Sequence, residues 1–347
     1  MTVRFLLAGL AALMIAACGS DGPSDELPDA SLDVVVVADG FDGPTQITFT
    51  PEGDLLVAEL VGDENDGTGR IVQLSLDTPD ERTIVQSGLL KPTGIAVIGV
   101  TLWIMEQRSL SFAGLAPGAE RETVLADLPF NGRSEGSLTV SPDGALIFNT
   151  SGRKSGAVVT EGSGAIFRVE DADPIGTGQP VGPATVVATG LKNAYAHTFD
   201  VDGQLWATEM SDGSFDGEQA PEELMRVNNG DNFDWPFCIG NRTPVMEFGG
   251  TVERCADAAP SHALFAPRAT PTAVEVAPWD DNTLLVALWV TDEIAAVPRS
   301  STPDGSLQQA TVVASGLGNP QDLLINGDSL LAVDHTGGRI LSVKPRS

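Results

Sequence analysis

Six times along this chain the same pattern returns: a short turn, an alternating apolar strand, a tight turn containing glycine, then a second apolar strand. The copies fall at 41–59, 89–106, 130–149, 191–209, 266–289 and 317–334. A degenerate repeat built from hairpins suits a radial architecture, because no single unit buries both of its apolar faces and its neighbours must cover them. Six units predict an all-β fold, a six-bladed β-propeller.

The first strand of each unit alternates, as in Ile47-Thr48-Phe49, while the second is continuously apolar, as in Leu55-Leu56-Val57. The continuous run suits a strand covered by blades on both sides. Turns such as Pro142-Asp143-Gly144 and Asn326-Gly327-Asp328 carry the glycine that hairpin turns need, which accounts for their Asp without a metal. Third strands read at 71–74, 165–169, 294–297 and 340–343, and fourth strands at 83–85, 122–125, 184–187 and 310–313. No outer strand follows the last unit, whereas the Val-rich run 32–37 stands ahead of the first unit without a partner. The N-terminal strand is therefore expected to close the last blade, which removes two exposed sheet edges.

Ahead of that strand the chain reads as an export signal. Arg4 supplies a positive start, and residues 5–17 form an apolar run too short to cross a bilayer as a stable helix. Ile15-Ala16-Ala17-Cys18 resembles a bacterial lipobox, with Cys18 the residue to be lipidated; the alternative is an ordinary secretory signal cut at an Ala-x-Ala-like site. Residues 19–31 hold too few apolar side chains to fold and read as a flexible tether. Gly19 after the cysteine gives no signal for retention in an inner membrane. The expected organisation is a signal over 1–18, a tether over 19–31 and a propeller over 32–347. The expected location is the cell envelope, lipid-anchored and facing the periplasm or the outer surface. Of the two remaining cysteines, Cys238 and Cys255 lie in one Gly- and Pro-rich stretch, and in an oxidising compartment a disulfide is expected rather than a metal site.

The formal charge is −29, from 48 acidic against 19 basic residues. That balance argues against nucleic acid and anionic lipid surfaces as partners, leaving the lipid anchor as the only membrane contact. It also suits a highly soluble or salt-adapted surface. Basic residues that converge on one place in such a chain need a reason.

Antiparallel pairing locates a mouth. The start of each first strand and the end of each second strand share one face of the ring, and the glycine turns share the other. Glu59, Glu106, Asn149, Glu209, Trp289 and Asp334 close the second strands, and four of these six are acids. Two readings stand open: side chains that satisfy nearby backbone amides, or a ring that holds a cation or a polyhydroxylated ligand. Insertions rise on the same face, at 211–218 and in a long excursion over 228–261 that carries Trp235 and the cysteine pair. Long loops on a rigid scaffold are where binding chemistry is usually placed. The oxygen-rich Asp63-Glu64-Asn65-Asp66-Gly67 suits either Ca²⁺ or a solvated turn.

The stretch 191–209, then Glu222-Glu223-Leu224-Met225-Arg226-Val227 and Asn229-Gly230-Asp231-Asn232-Phe233-Asp234-Trp235-Pro236, resembles the fourth-blade region of the soluble glucose/sorbosone dehydrogenases. These are periplasmic six-bladed propellers that oxidise aldose sugars with pyrroloquinoline quinone (PQQ) and Ca²⁺. The resemblance covers the mature chain as a fold and roughly a quarter of it as motif. It implies that Lys192 and Asn193 contact the quinone, with Arg133, Arg268 and Gln321 at matching blade entrances. It implies too that Glu209, with Ser211 and Asp212 in the loop after it, lies where the Ca²⁺ is held.

The family's catalytic His opens the third blade, and here Arg133 takes that place. Arginine stays protonated at ordinary pH and cannot serve as a general base. Glu135 and His197 are the other candidates for the proton acceptor; His262, in the long loop, and His335, after Asp334, are placed to reach the mouth but do not match the family base. The resemblance therefore implies a quinoprotein-like dehydrogenase of sugars or related alcohols, with a small-molecule ligand and altered or lost turnover. A metal-dependent lactonase or lyase on a similar propeller is the first alternative, and a lipoprotein that binds an anionic or sugar ligand without turnover is the second.

Overall fold

The computed structural model describes residues 32–132, 136–211, 213–302 and 305–346. Six antiparallel sheets follow one another around an axis. Blade 1 is built from Pro44–Phe49, Leu55–Glu59, Gly69–Leu74 and Arg82–Leu89. Blade 2 takes Gly94–Ile98, Thr101–Glu106, Ser109–Gly114 and Glu122–Leu125. Blade 3 takes Thr139–Val140, Leu146–Thr150, Ala165–Val169 and Ala184–Thr189. Blade 4 takes His197–Phe199, Leu205–Glu209, Glu222–Val227 and Ala263–Phe265. Blade 5 takes Pro271–Ala277, Asp280–Leu288, Glu293–Pro298 and Thr311–Ser315.

Blade 6 is composite. Pro320–Asn326, Ser329–Asp334 and Arg339–Pro345 come from the C-terminal end, and Leu32–Asp39 pairs antiparallel with the last of them, Leu32 opposite Pro345 and Asp39 opposite Arg339. The second strands are the core, as their composition requires: Leu55 to Ala58, Leu102 to Met105 and Leu330 to Val333 are all essentially inaccessible. The main core clusters each lie between two blades, for example Ala273, Leu285 and Ala287 of blade 5 against Leu323, Leu330 and Ala332 of blade 6.

Proline decides how three of the inner strands begin. Pro44, Pro271 and Pro320 each stand first in the strand, where a missing N–H breaks no ladder bond, and each pairs with the last residue of the second strand. A register shift follows each proline and turns Thr45 and Gln46, Thr272, or Gln321 and Asp322 out of the regular alternation. These side chains stitch the blades together around the axis. Gln46 Oε1 accepts from the amides of Ile95 (2.7 Å) and Leu138 (2.9 Å). Thr139 donates to the carbonyl of His197, Thr198 to Glu275, and Thr272 to the carbonyl of Pro320. Asp322 Oδ2 then accepts from Ile47 N at 2.9 Å and closes the circle.

The excursion after Val227 is ordered. Asp231–Asn232 adds a fifth, parallel strand to blade 3, Cys238–Ile239 pairs with Thr243–Pro244, and a short helix spans Val252–Ala256. Cys238 and Cys255 are joined by a disulfide and both are buried. The signal, the tether and the lipobox Cys18 lie outside the described residues, as do Arg133, Glu135 and Asp212.

Candidate functional site

The acids at the strand ends act on the protein itself. Glu59 Oε1 accepts from the amide of Asp42 at 2.7 Å, and Glu106 Oε1 from that of Leu90 at 2.6 Å. Glu209 Oε1 accepts from Lys192 N at 2.6 Å, and Asp334 Oδ1 from Gly337 N at 2.6 Å. In blades 1, 2 and 4 the carboxylate thus clamps the loop that enters its own blade. Three of the four are also paired with arginine: Glu59 with Arg70 at 2.6 Å, Glu106 with Arg121 at 3.5 Å, and Asp334 with Arg339 at 2.6 Å. The ring therefore satisfies amides and guanidinium groups. Glu59→Ala is expected to cost about 3 kcal/mol, because it removes the buried carboxylate that holds both the Asp42 amide and Arg70. A denaturant midpoint unchanged from wild type would refute the clamp.

Blade 4 departs from this scheme. The residue opposite Glu209 on the next strand is Glu223, where blades 1 and 6 place arginine. Glu222 accepts from Ser211 N at 2.6 Å and Arg268 N at 3.1 Å, while Glu223 accepts from the Ser261 hydroxyl and from Gly240 N at 2.9 Å. Burial pushes Glu209 up to about 8, with the charge of Glu223 adding to it, and pushes Glu222 up to about 7. Burial raises Glu223 as well. A cavity of about 20 Å³ touches Glu209, Ser211 and Glu223. Ser211 gives its amide to Glu222 and its hydroxyl to Glu223, so Glu209 and Ser211 do not present a shared open ligand set. Among the described residues no group of three His, Cys, Asp or Glu side chains is arranged to hold a metal ion.

The cations gather beside the axis, over blades 2 to 4. A cavity of about 730 Å³ is lined by Arg108, Arg153, Lys154 and Lys192, together with Phe130, Asn131, Gly152 and Trp235. The hairpin Lys154–Ser155 with Val158–Val159 forms part of its wall. That wall has its own small core, in which Phe215, Ala220, Trp235 and Val245 pack with Val159 and Phe248. Lys154 Nζ lies 3.6 Å from the centre of the Phe248 ring and 5.9 Å from that of Trp235, both within cation–π reach. Gly152 is required here: a Cβ would stand 2.5 Å from the Leu191 carbonyl oxygen and 2.9 Å from Lys192 Cα. Lys192 is held by its own clamp, since its amide is the one bound to Glu209. In a chain of net charge −29 four cations around one cavity create a local positive potential that favours an anion.

At the axis Gln321 Nε2 donates to the Tyr195 hydroxyl at 2.6 Å, and burial raises the Tyr195 phenol far above its ordinary value. Lys91, buried, pairs with Glu64 at 2.7 Å. Asp63 accepts from the Asn65 amide within the same loop, and Gln107 donates to Asn65, so this acidic stretch forms a tied turn. Asn193 is buried with its amide on Glu209, and its Oδ1 has no hydrogen-bond partner among the described residues. Arg268 is exposed; its amide donates to Glu222 and its carbonyl accepts from the Thr270 hydroxyl.

Of the histidines, His197 is buried away from the cationic cavity. His262 packs edge-on against Trp206 and bonds the Pro298 carbonyl, which keeps it from the mouth. His335 stays at the mouth face, with Nδ1 on the Pro44 carbonyl at 2.9 Å. Sequence reasoning reached Lys192 and Trp235 but missed Arg108, Arg153 and Lys154. The only signal for the last two was their position directly after the second strand of blade 3, in a connection longer than a hairpin turn.

Residues 119–289 match the family profile described as Glucose / Sorbosone dehydrogenase. No curated protein sequence matches the chain. Among solved structures it is similar to the calcium structure of the Trichoderma reesei Carbohydrate-Active Enzymes Family AA12 protein, with 16% identity, 91% of this chain and 96% of that one covered, and a TM-score of 0.74. It is also similar to the holo pyranose dehydrogenase PQQ domain from Coprinopsis cinerea, with 17% identity, coverage of 93% and 99%, and a TM-score of 0.69. The PQQ-bound aldose sugar dehydrogenase from Streptomyces coelicolor shares 20% identity over 92% and 100% of the two chains, with a TM-score of 0.65. At these identities the structural likeness speaks for the fold.

Proposed function

We propose, from the premise that this chain belongs to the glucose/sorbosone dehydrogenase family, that it binds PQQ in the cationic cavity and acts on a sugar or related alcohol with slow or absent turnover. The observation that carries this reading is the convergence of Arg108, Arg153, Lys154 and Lys192 on one cavity walled by Trp235 and Phe130. The donor set fits the group: a planar quinone with three carboxylates needs cations at its rim and aromatic surface beside its rings. Bound there, the quinone would supply two-electron oxidation of an alcohol carbon. The chain's own share is to bind and orient. Glu209 fixes the Lys192 backbone, and the Phe248 and Trp235 rings fix Lys154.

Ca²⁺ fits less well. The carboxylates of Glu209, Glu222 and Glu223 are taken up by amides and hydroxyls, so no step is assigned to a metal. No described histidine lines the cavity, which favours weak turnover and keeps ligand binding without catalysis as the second reading. Export through the leader, with lipid on Cys18, belongs to the same proposal and is checked by mass spectrometry of the mature N-terminus. Titration of the purified chain with PQQ, followed by absorbance, should show saturable binding that Lys192→Ala and Lys154→Ala each weaken by about tenfold or more. Sugar-dependent dye reduction should be slow. Absence of saturable binding would overturn the proposal, and rapid dye reduction would overturn its account of turnover.

A further inference from the structure

A second cavity, of about 390 Å³, runs along the axis toward the face that carries the hairpin turns, and all six inner strands line it. It shares no lining residue with the cationic cavity, and no lysine or arginine lines it. Most of its wall is apolar, from Ile47, Ile95, Val274 and Leu323 among others. Several of its polar groups are already engaged, and two that are not stand out as exceptions. Asp322 holds the Ile47 amide, Gln46 holds two amides, and Asp200 takes Trp206 Nε1 and Arg299.

The first exception is His197. Thr139 Oγ1 donates its hydrogen to the His197 carbonyl at 2.6 Å, so toward His197 Nδ1, at 2.8 Å, it can only accept. The ring proton is therefore on Nδ1, and Nε2 is a bare acceptor. That atom is buried and no described group bonds it, although His197 itself is only 4% exposed. The second exception is Glu275. Its Oε1 receives the Thr198 hydroxyl at 3.1 Å and the Val276 amide at 2.8 Å, while no described donor reaches Oε2. The residues around the cavity thus include two with an acceptor that no described donor reaches, His197 and the carboxylate of Glu275, and no cationic side chain lines it. An apolar pocket of this size with a few convergent polar groups is the usual form of a small-molecule site.

From this geometry we infer that the axial cavity on the turn face binds a small organic ammonium ion with a short apolar tail, its N–H groups directed to His197 Nε2 and the Glu275 carboxylate. The site is independent of the quinone cavity and of any turnover there. A compact ammonium satisfies both acceptors at once and neutralises Glu275, while the alkyl tail covers Val274 and Leu323.

The test uses the full chain at pH 8, where Glu275, pushed up to about 7 by burial, is ionised. The chain has three histidines, so their imidazole nitrogen signals are resolved by NMR. Titration with n-butylammonium should shift the His197 signals saturably and leave those of His262 and His335 in place. The probes n-butanol and butyrate should shift none of them. Glu275→Gln and His197→Gln should each weaken butylammonium binding by about tenfold or more, in proteins whose melting curves match wild type. Butanol binding as well as butylammonium, or no saturable shift at His197, would overturn the inference. Should either variant fail to fold, the comparison of the three probes on the wild type decides it alone.

Discussion

Deletion of residues 32–38 is expected to cost about 5 kcal/mol or more, enough to broaden or abolish the cooperative melting transition, while deletion of 19–31 leaves it almost unchanged. The strand Leu32–Asp39 is the outer strand of blade 6 and pairs antiparallel with Arg339–Pro345 along its length, with one register shift between Val36 and Ala38. Leu32 and Ala38 are buried, and Val37 packs against the cluster of Leu331, Val333 and Ile340. Losing two buried apolar side chains and the half-buried Val37 accounts for most of the cost. The rest comes from a newly exposed edge at 339–345, which also invites association between chains. The tether lacks the apolar side chains that would contribute to a core. Coincident melting curves for the two truncations would refute this closure of the ring.

Raising the pH from 5 to 8 should lower the melting temperature by several degrees. Four buried carboxyls lie above their ordinary values: Glu209 and Asp322 at about 8, Glu222 and Glu275 at about 7, in each case chiefly through burial. Between their unfolded values near 4 to 4.5 and these folded values, the folded state holds protons that the unfolded state has released. Stability therefore falls with rising pH across that window. His197 acts in the opposite sense on the acid side. Burial lowers it to about 3, so its contribution is lost as pH falls from about 6.5 toward 3. Four carboxyls outweigh one imidazole between pH 5 and 8, so stability falls across that window and His197 limits it only further to the acid side. Glu209→Gln with Asp322→Asn should flatten the slope between pH 5 and 8, and a slope unchanged by the double substitution would reject the assignment.

The sequence alone determined the ring. Alternation, continuous apolar runs and glycine turns at regular spacing leave few architectures that bury every unit, and the unpartnered Val run at 32–37 could pair only at the other end. Two cysteines in one loop, once the first was assigned to the lipobox, left one disulfide to form. The placement of Glu59, Glu106, Glu209 and Asp334 on a common face was likewise legible, because strand direction fixes which ends meet.

What those acids do was not legible. Whether a carboxylate at a strand end turns to the channel or folds back onto an amide some 17 residues upstream, as Glu59 does to Asp42, depends on local twist and side-chain direction. Period alone carries no record of either. The register shifts after Pro44, Pro271 and Pro320 aim Gln46, Thr272 and Asp322 at neighbouring blades, and they exist only once two strands are paired. The same holds for the cationic cavity. Arg108, Arg153, Lys154 and Lys192 come from three blades and converge because Gly152 lets the Lys192 backbone approach and because Trp235 and Phe248 seat the Lys154 hairpin. Strand pattern specifies which face a residue occupies; only packing between blades specifies what that residue touches.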